Sequence, residues 1–94
     1  MTKSELIEIL SGKTGLSKTK AEEVVNITFS AMSSALAAGS RVEIRGFGSF
    51  KVKEYEGYTG RNPKTGELIR VQSKRLPFFK CGKELKERVD FSAS

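Results

Sequence analysis

The chain changes its hydrophobic period once, at Gly39, and that change limits what it can fold into. Before it, Ala21, Val24, Val25, Thr28, Phe29, Met32, Ala35 and Leu36 recur at three- and four-residue spacing. Such spacing marks a long amphipathic helix with a broad apolar stripe. After it, Arg41-Val42-Glu43-Ile44-Arg45 alternates polar and apolar without a break, as a half-buried strand does. A helical N-terminal part followed by a strand-rich part predicts an α+β fold.

The helical part carries its own punctuation. Thr2 and Glu5 form a capping-box pattern, and Leu6, Ile7 and Leu10 follow on one face. Gly12 and Gly15 are expected to end this first helix, Ser17 to cap the second and Gly39 to stop it. The pair is a helical hairpin. It lacks the marks of a groove-reading helix–turn–helix, because Glu22 and Glu23 stand near the start of the second helix and the apolar stripe is too wide.

In the second part Gly46-Phe47-Gly48 reads as a turn. Ser49 to Tyr55 alternates, with Phe50 and Val52 on one face and Lys51 and Lys53 on the other. A return strand is expected from Glu67 through Ile69 and Val71 to Phe79, with Pro77 at an edge or a bulge because it cannot donate to a ladder. Gly82 opens a short last helix, Leu85 and Val89 inward, Lys83, Lys86 and Arg88 outward; Ser92-Ala93-Ser94 is a fraying tail. The expectation is one domain over residues 1–94: a helical part over 1–40, a three-stranded antiparallel sheet with a long β-ribbon arm over 41–81 (arm about 54–74), and a C-terminal helix and tail over 82–94.

Charge divides along the same line. Residues 1–40 hold four lysines and four glutamates, so the whole excess of +6 lies in residues 41–94. A neutral structural half joined to a cationic half points to a polyanion partner. Charge alone admits nucleic acid or an anionic membrane. The absence of histidine and the single Cys81 leave almost nothing for metal binding, acid–base chemistry or a disulfide framework. No catalytic set, cofactor or small-molecule substrate is expected. Gly46-x-Gly48 lacks the third glycine and following helix of a phosphate loop. With no apolar run of membrane-spanning length and no signal-peptide core, a cytoplasmic protein is expected. Cys81 reads as a small buried hydrophobe, the phenylalanines as core, and Tyr55 and Tyr58 as packing on the arm.

The cationic half culminates in Tyr58-Thr-Gly-Arg-Asn-Pro-Lys-Thr-Gly-Glu-Leu-Ile-Arg-Val71. Two Thr-Gly pairs bracket a tip of Arg61, Asn62, Pro63 and Lys64. A two-stranded ribbon fits a DNA groove. Arg61 and Lys64 attract phosphates, and Arg61 suits a narrow minor groove. Asn62 can bond the acceptors found there. Pro63 is compact, rigid and without an N–H to satisfy, which suits a wedge between base pairs. Asn-Pro and Thr-Gly are also ordinary turn dipeptides. Lys51, Lys53, Arg70, Lys74 and Arg75 along the arm, and Lys80, Lys83 and Lys86 beyond it, put the tip in a cationic setting.

Arg45-Gly-Phe-Gly-Ser-Phe50, Gly60-Arg-Asn-Pro-Lys-Thr-Gly66 and Phe79-Lys-x-Gly-Lys-x-Leu85 resemble the bacterial HU/integration host factor family, in matching order from Thr2 to about Val89. The resemblance implies an intertwined, nucleoid-associated dimer whose two arms embrace double-stranded DNA in the minor groove and bend it, in transcription, recombination and replication. It implies that Pro63 intercalates, that Arg61 and Asn62 contact the minor groove, and that Lys3, Lys80, Lys83 and Lys86 contact flanking phosphates. Arg41 to Arg45 looks like the beta-subunit branch, in which the equivalents of Glu43 and Arg45 position a minor-groove arginine contact linked to sequence preference. Two positions depart from the pattern: Phe78, where a smaller or polar residue is usual, and Cys81, where proline or alanine is commoner.

Dimerisation also follows from size. With the arm outside the core, about seventy residues remain to cover Phe29, Met32, Leu36 and the phenylalanines, too few for a single body. The partner is a second copy or an alpha-type chain. The competing readings are a non-sequence-specific homodimer that compacts DNA and, from another class, a single-stranded nucleic-acid binder. The latter calls for aromatics interleaved with the cationic face of the sheet, whereas the aromatics here fall mostly on inward positions, which counts against it.

Overall fold

In the computed structural model, which describes residues 1–90, two helices open the chain. Helix α1 spans Lys3–Thr14 and α2 spans Lys18–Ala37. The Thr2 hydroxyl accepts a hydrogen bond from the N–H of Glu5, and the Ser17 hydroxyl accepts one from Lys20. Each cap satisfies an amide that the first helical turn leaves without a partner. Gly12 lies inside α1, and Gly15 ends it in the left-handed region at φ 74°. The expectation of a stop at Gly12 is corrected: no left-handed turn occurs there, and a helix interior accepts glycine at modest cost. At the end of α2, Ser40 N–H bonds Ala35 C=O and Gly39 N–H bonds Leu36 C=O, with Gly39 at φ 85°. This double closure needs a left-handed residue, which Gly39 adopts without a Cβ clash.

Five strands follow: β1 (Val42–Ile44), β2 (Gly48–Tyr55), β3 (Tyr58–Arg61), β4 (Leu68–Val71) and β5 (Lys74–Cys81). Helix α3, Lys83–Asp90, closes the described chain. Strands β1, β2 and β5 form an antiparallel sheet in that order, and β3 with β4 forms a separate two-stranded ribbon. The α+β architecture with a ribbon arm is the one expected. The continuous return strand is not: the arm separates from the sheet at residues 56–57 and 72–73. At this break the backbones approach closely: a Cβ on Gly57 would stand 2.6 Å from Val71 O and 2.9 Å from Ser73 N, room that only glycine leaves. Pro77 sits on the edge strand β5, opposite Val52.

Register sorts the sheet into two faces. Cross-strand partners share a face and neighbours along a strand alternate. Phe50 pairs with Val42 and Phe79, Val52 with Pro77, and Ile44 with Gly48. This apolar face turns toward α2, and Ser33, Leu36 and Ala37 share a cleft with Val52 and Pro77. Phe79 stacks at tilted angles on Phe50 and Phe47, with centroids 4.7 and 5.5 Å apart.

The core is thin. Ala21 and Val25 are its buried hydrophobic residues, while Phe29, Phe47 and Phe79 are 50, 44 and 37 % exposed. The radius of gyration is 19.4 Å, against about 13 Å for a compact domain of this size. Three expectations of burial are therefore corrected. Cys81 is exposed; it faces Gly48 at the end of the sheet, where no side chain reaches across to cover it. Val89 is 65 % exposed, and only Leu85 of the expected inward pair is half-buried. Phe78 lies on the face opposite the core. The tail Ser92-Ala93-Ser94 lies outside the described residues.

Candidate nucleic-acid interface

The face of the sheet turned away from the helices is cationic. The register pairs Ser49 with Lys80, Lys51 with Phe78, Lys53 with Leu76 and Tyr55 with Lys74. Lys51, Lys53, Lys74 and Lys80 thus share one surface, as the alternation of β2 predicts. Phe78, 39 % exposed, stands among them with the Lys53 Nζ 3.7 Å from its ring centroid. An alternation counted back from Lys80 would have found Phe78 on this face. Lys74 Nζ lies 6.0 Å from the Tyr55 ring centroid. Arg75 is not part of this group: it shares the opposite face with Glu54, with Nε 3.7 Å from that carboxylate.

Glu43 follows the outward alternation of β1, with Arg41 just before the strand and Arg45 in the turn after it. Glu43 takes Arg41 as its ion-pair partner, at 2.6 Å, and Arg45 has none among the described residues. Lys3 opens α1, exposed, beside the Thr2 cap. Lys83 and Lys86 are exposed on α3, with Lys83 Nζ 3.9 Å from Glu87. Gly82 C=O accepts from Lys86 N–H, so α3 begins where the sequence places it.

The arm is two-faced. Arg61 pairs with Leu68 and Thr59 with Arg70, while Tyr58 pairs with Val71 and Gly60 with Ile69. Alternation sets Arg61 and Arg70 on one face and Tyr58, Ile69 and Val71 on the other. This division within a basic arm was open to a period-two reading of residues 58–61 and 68–71.

The tip is held by its own hydrogen bonds. Asn62 N–H donates to Glu67 C=O at 2.8 Å, and Gly66 N–H donates to Asn62 C=O at 2.7 Å. Lys64 N–H donates to Asn62 Oδ1 at 2.9 Å, and Glu67 N–H donates to Thr65 Oγ1 at 3.3 Å. Gly66 takes the left-handed position, φ 73°. Pro63 has no N–H to place, and it stands exposed with Lys64 beside it. The amide of Asn62 is oriented by Lys64: its oxygen is occupied, so its NH2 is the group left to bond an acceptor. The acceptors of the minor groove, adenine N3 and thymine O2, need such a donor.

A cationic sheet face, a basic two-stranded arm and a constrained proline tip thus lie on one chain. The family model described as bacterial DNA-binding protein matches residues 1–90. The chain belongs to this family. Within it, the chain is 52 % identical to integration host factor subunit beta of Actinobacillus succinogenes, over 99 % of this chain and 100 % of that one. It is 53 % identical to the same subunit of Methylococcus capsulatus, over 96 % of each. The likeness to the beta-subunit branch expected from residues 41–50 agrees with these relatives. Among solved structures, an Anabaena HU–DNA cocrystal structure matches with a TM-score of 0.84 and 35 % identity, covering 95 % of this chain and 97 % of that one. HU from Thermotoga maritima matches with a TM-score of 0.67 and 32 % identity, covering 95 % and 98 %. Among the described residues no helix is long and apolar enough to cross a membrane.

Proposed function

We propose that this chain is an architectural double-stranded DNA-binding protein that works as a dimer and bends DNA. Two arms follow the minor groove, and Pro63 of each enters a base step. Arg61 and the Asn62 NH2 face the groove floor, while Lys51, Lys53, Lys64, Arg70, Lys74 and Lys80 take phosphates along the path. Lys3, Lys83 and Lys86 take phosphates on the flanks. Unstacking a step costs a few kcal/mol, offset by the protein surface that bent DNA touches. The role belongs to the nucleoid in the cytoplasm, in transcription, recombination and replication. It is that of an integration host factor beta-like chain, paired with a second copy or an alpha-type chain.

The observation that carries the proposal is the tip, where four hydrogen bonds hold a turn that presents Pro63 bare between Asn62 and Lys64. The dimer rests on the thin core: among the described residues two buried hydrophobic ones leave the apolar face of α2 and the phenylalanine cluster in need of cover. A second reading, a non-sequence-specific homodimer, draws support from the pairing of Glu43 with Arg41 instead of Arg45. Native mass spectrometry of the chain with short duplex DNA tests the proposal. A protein dimer on one duplex is expected. A monomer that ignores duplex DNA at low salt would overturn it.

A further inference from the structure

Lysines with ionic partners on the helices are paired with carboxylates: Lys18 with Glu8, Lys20 with Glu23 and Lys83 with Glu87. On the outer face of the sheet Lys53 is held differently. Lys53 has no ion pair among the described residues and lies instead over the Phe78 ring, 3.7 Å from its centroid. Lys53 is also the half-buried lysine of the described residues; the others are exposed. Phe78 faces away from the helices, so its ring covers no core residue.

The two kinds of partner differ in what they leave behind. A carboxylate fixes an ammonium and cancels its charge. An aromatic ring fixes it through the quadrupole and leaves the full positive charge available. A phosphate contact needs that charge, and it gains when a long flexible stem is ordered before the ligand arrives. Tyr55 and Lys74 repeat the arrangement at the outer limit of its range, 6.0 Å.

We propose that Phe78 is a positioning residue for DNA binding, its ring holding the Lys53 ammonium uncompensated on the outer face to meet a backbone phosphate. The proposal rests on the DNA-binding reading above. It assigns a purpose to an exposed aromatic that the fold does not use.

The test uses the full chain with Phe78→Leu, Phe78→Tyr, Lys53→Met and the Phe78→Leu/Lys53→Met double variant. In the free protein, the Lys53 side-chain methylene resonances should be shifted upfield by the ring, and Phe78→Leu should release them while Phe78→Tyr keeps them. On duplex DNA, Phe78→Leu should weaken binding about two- to fivefold, the equivalent of an exposed cation–π contact, with the same loss at each salt concentration. Phe78→Tyr should restore it. Lys53→Met should flatten the salt dependence by about 0.9 in log–log slope, one phosphate contact. The double variant should bind as Lys53→Met alone. Additive losses, unshifted Lys53 resonances, or a Tyr variant as weak as the Leu variant would overturn the proposal. So would a loss of affinity matched by a loss of melting temperature, which would assign the ring to folding. A wild-type chain that fails to bind duplex would refute the DNA-binding reading, whereas these outcomes refute the role of Phe78 alone.

Discussion

The side-chain oxygen of Asn62 accepts the backbone N–H of Lys64 at 2.9 Å, and this bond orients the Asn62 amide at the arm tip. It is one of four that hold the turn presenting Pro63, and it leaves the Asn62 NH2 as a donor. Asn62→Asp keeps the acceptor for Lys64 but replaces the donor with a second acceptor that repels minor-groove N3 and O2. The melting temperature should hold, and affinity for duplex DNA should fall by about tenfold or more, the effect of one mispaired base-edge contact. Equal affinity by fluorescence anisotropy would remove Asn62 from the groove.

The arm leaves the sheet at Gly57, where backbone atoms of Val71 and Ser73 come within 3 Å of a would-be Cβ. Gly57→Ala must push the arm from the sheet, at about 1–3 kcal/mol of local stability, as overpacking generally costs. Hydrogen exchange should quicken at Tyr58–Arg61 and Leu68–Val71 while α1 and α2 keep their protection. Unchanged exchange in the arm would show that the close approach does not set its position.

Ser17 caps α2, the helix that carries most of the apolar surface, through its bond to Lys20 N–H. Ser17→Ala should cost about 1 kcal/mol in denaturant unfolding, with an unchanged m-value. No change in the midpoint would mean that water serves the amide equally well.

The fold was legible where local chemistry decides it. Thr2, Ser17 and Gly39 act as the sequence indicates because a cap or a left-handed stop depends on a few neighbouring atoms. The alternation of Lys51 and Lys53 against Phe50 and Val52 carried through to the structure because period two is a property of the strand itself. What was not legible depends on pairing. At the break between sheet and arm Gly57 meets Val71, fourteen positions along the chain, and residues 54–58 carry no marker of it beyond the glycine. Phe78 and Cys81 read as buried because apolar residues cluster there. The β2–β5 register decides both: it turns Phe78 to the outer face beside Lys51, and it sets Cys81 on the inner face but at the end of the sheet, opposite Gly48, which has no side chain to cover it. For the same reason the cations of the return strand divide, Lys74 and Lys80 to the outer face and Arg75 to the inner one.

The exposed apolar faces make stability a matter of concentration. If a second chain covers Phe29, Phe47 and Phe79, the melting temperature should rise with protein concentration, since association stabilises by mass action. Phe29→Ala should cost about 3–5 kcal/mol, the range for a buried phenylalanine, and not the small effect of a surface change. A melting temperature independent of concentration, with a monomeric mass, would refute a dimer.

The central claim is that Pro63 opens a base step. Energy transfer between dyes at the two ends of a short duplex, with saturating wild-type chain and with Pro63→Ala, measures it most directly. The end-to-end distance should shorten on binding of the wild type and recover much of its free length with Pro63→Ala, while the salt-dependent affinity largely persists. Equal transfer in wild type and variant, or no shortening with either, would contradict the claim.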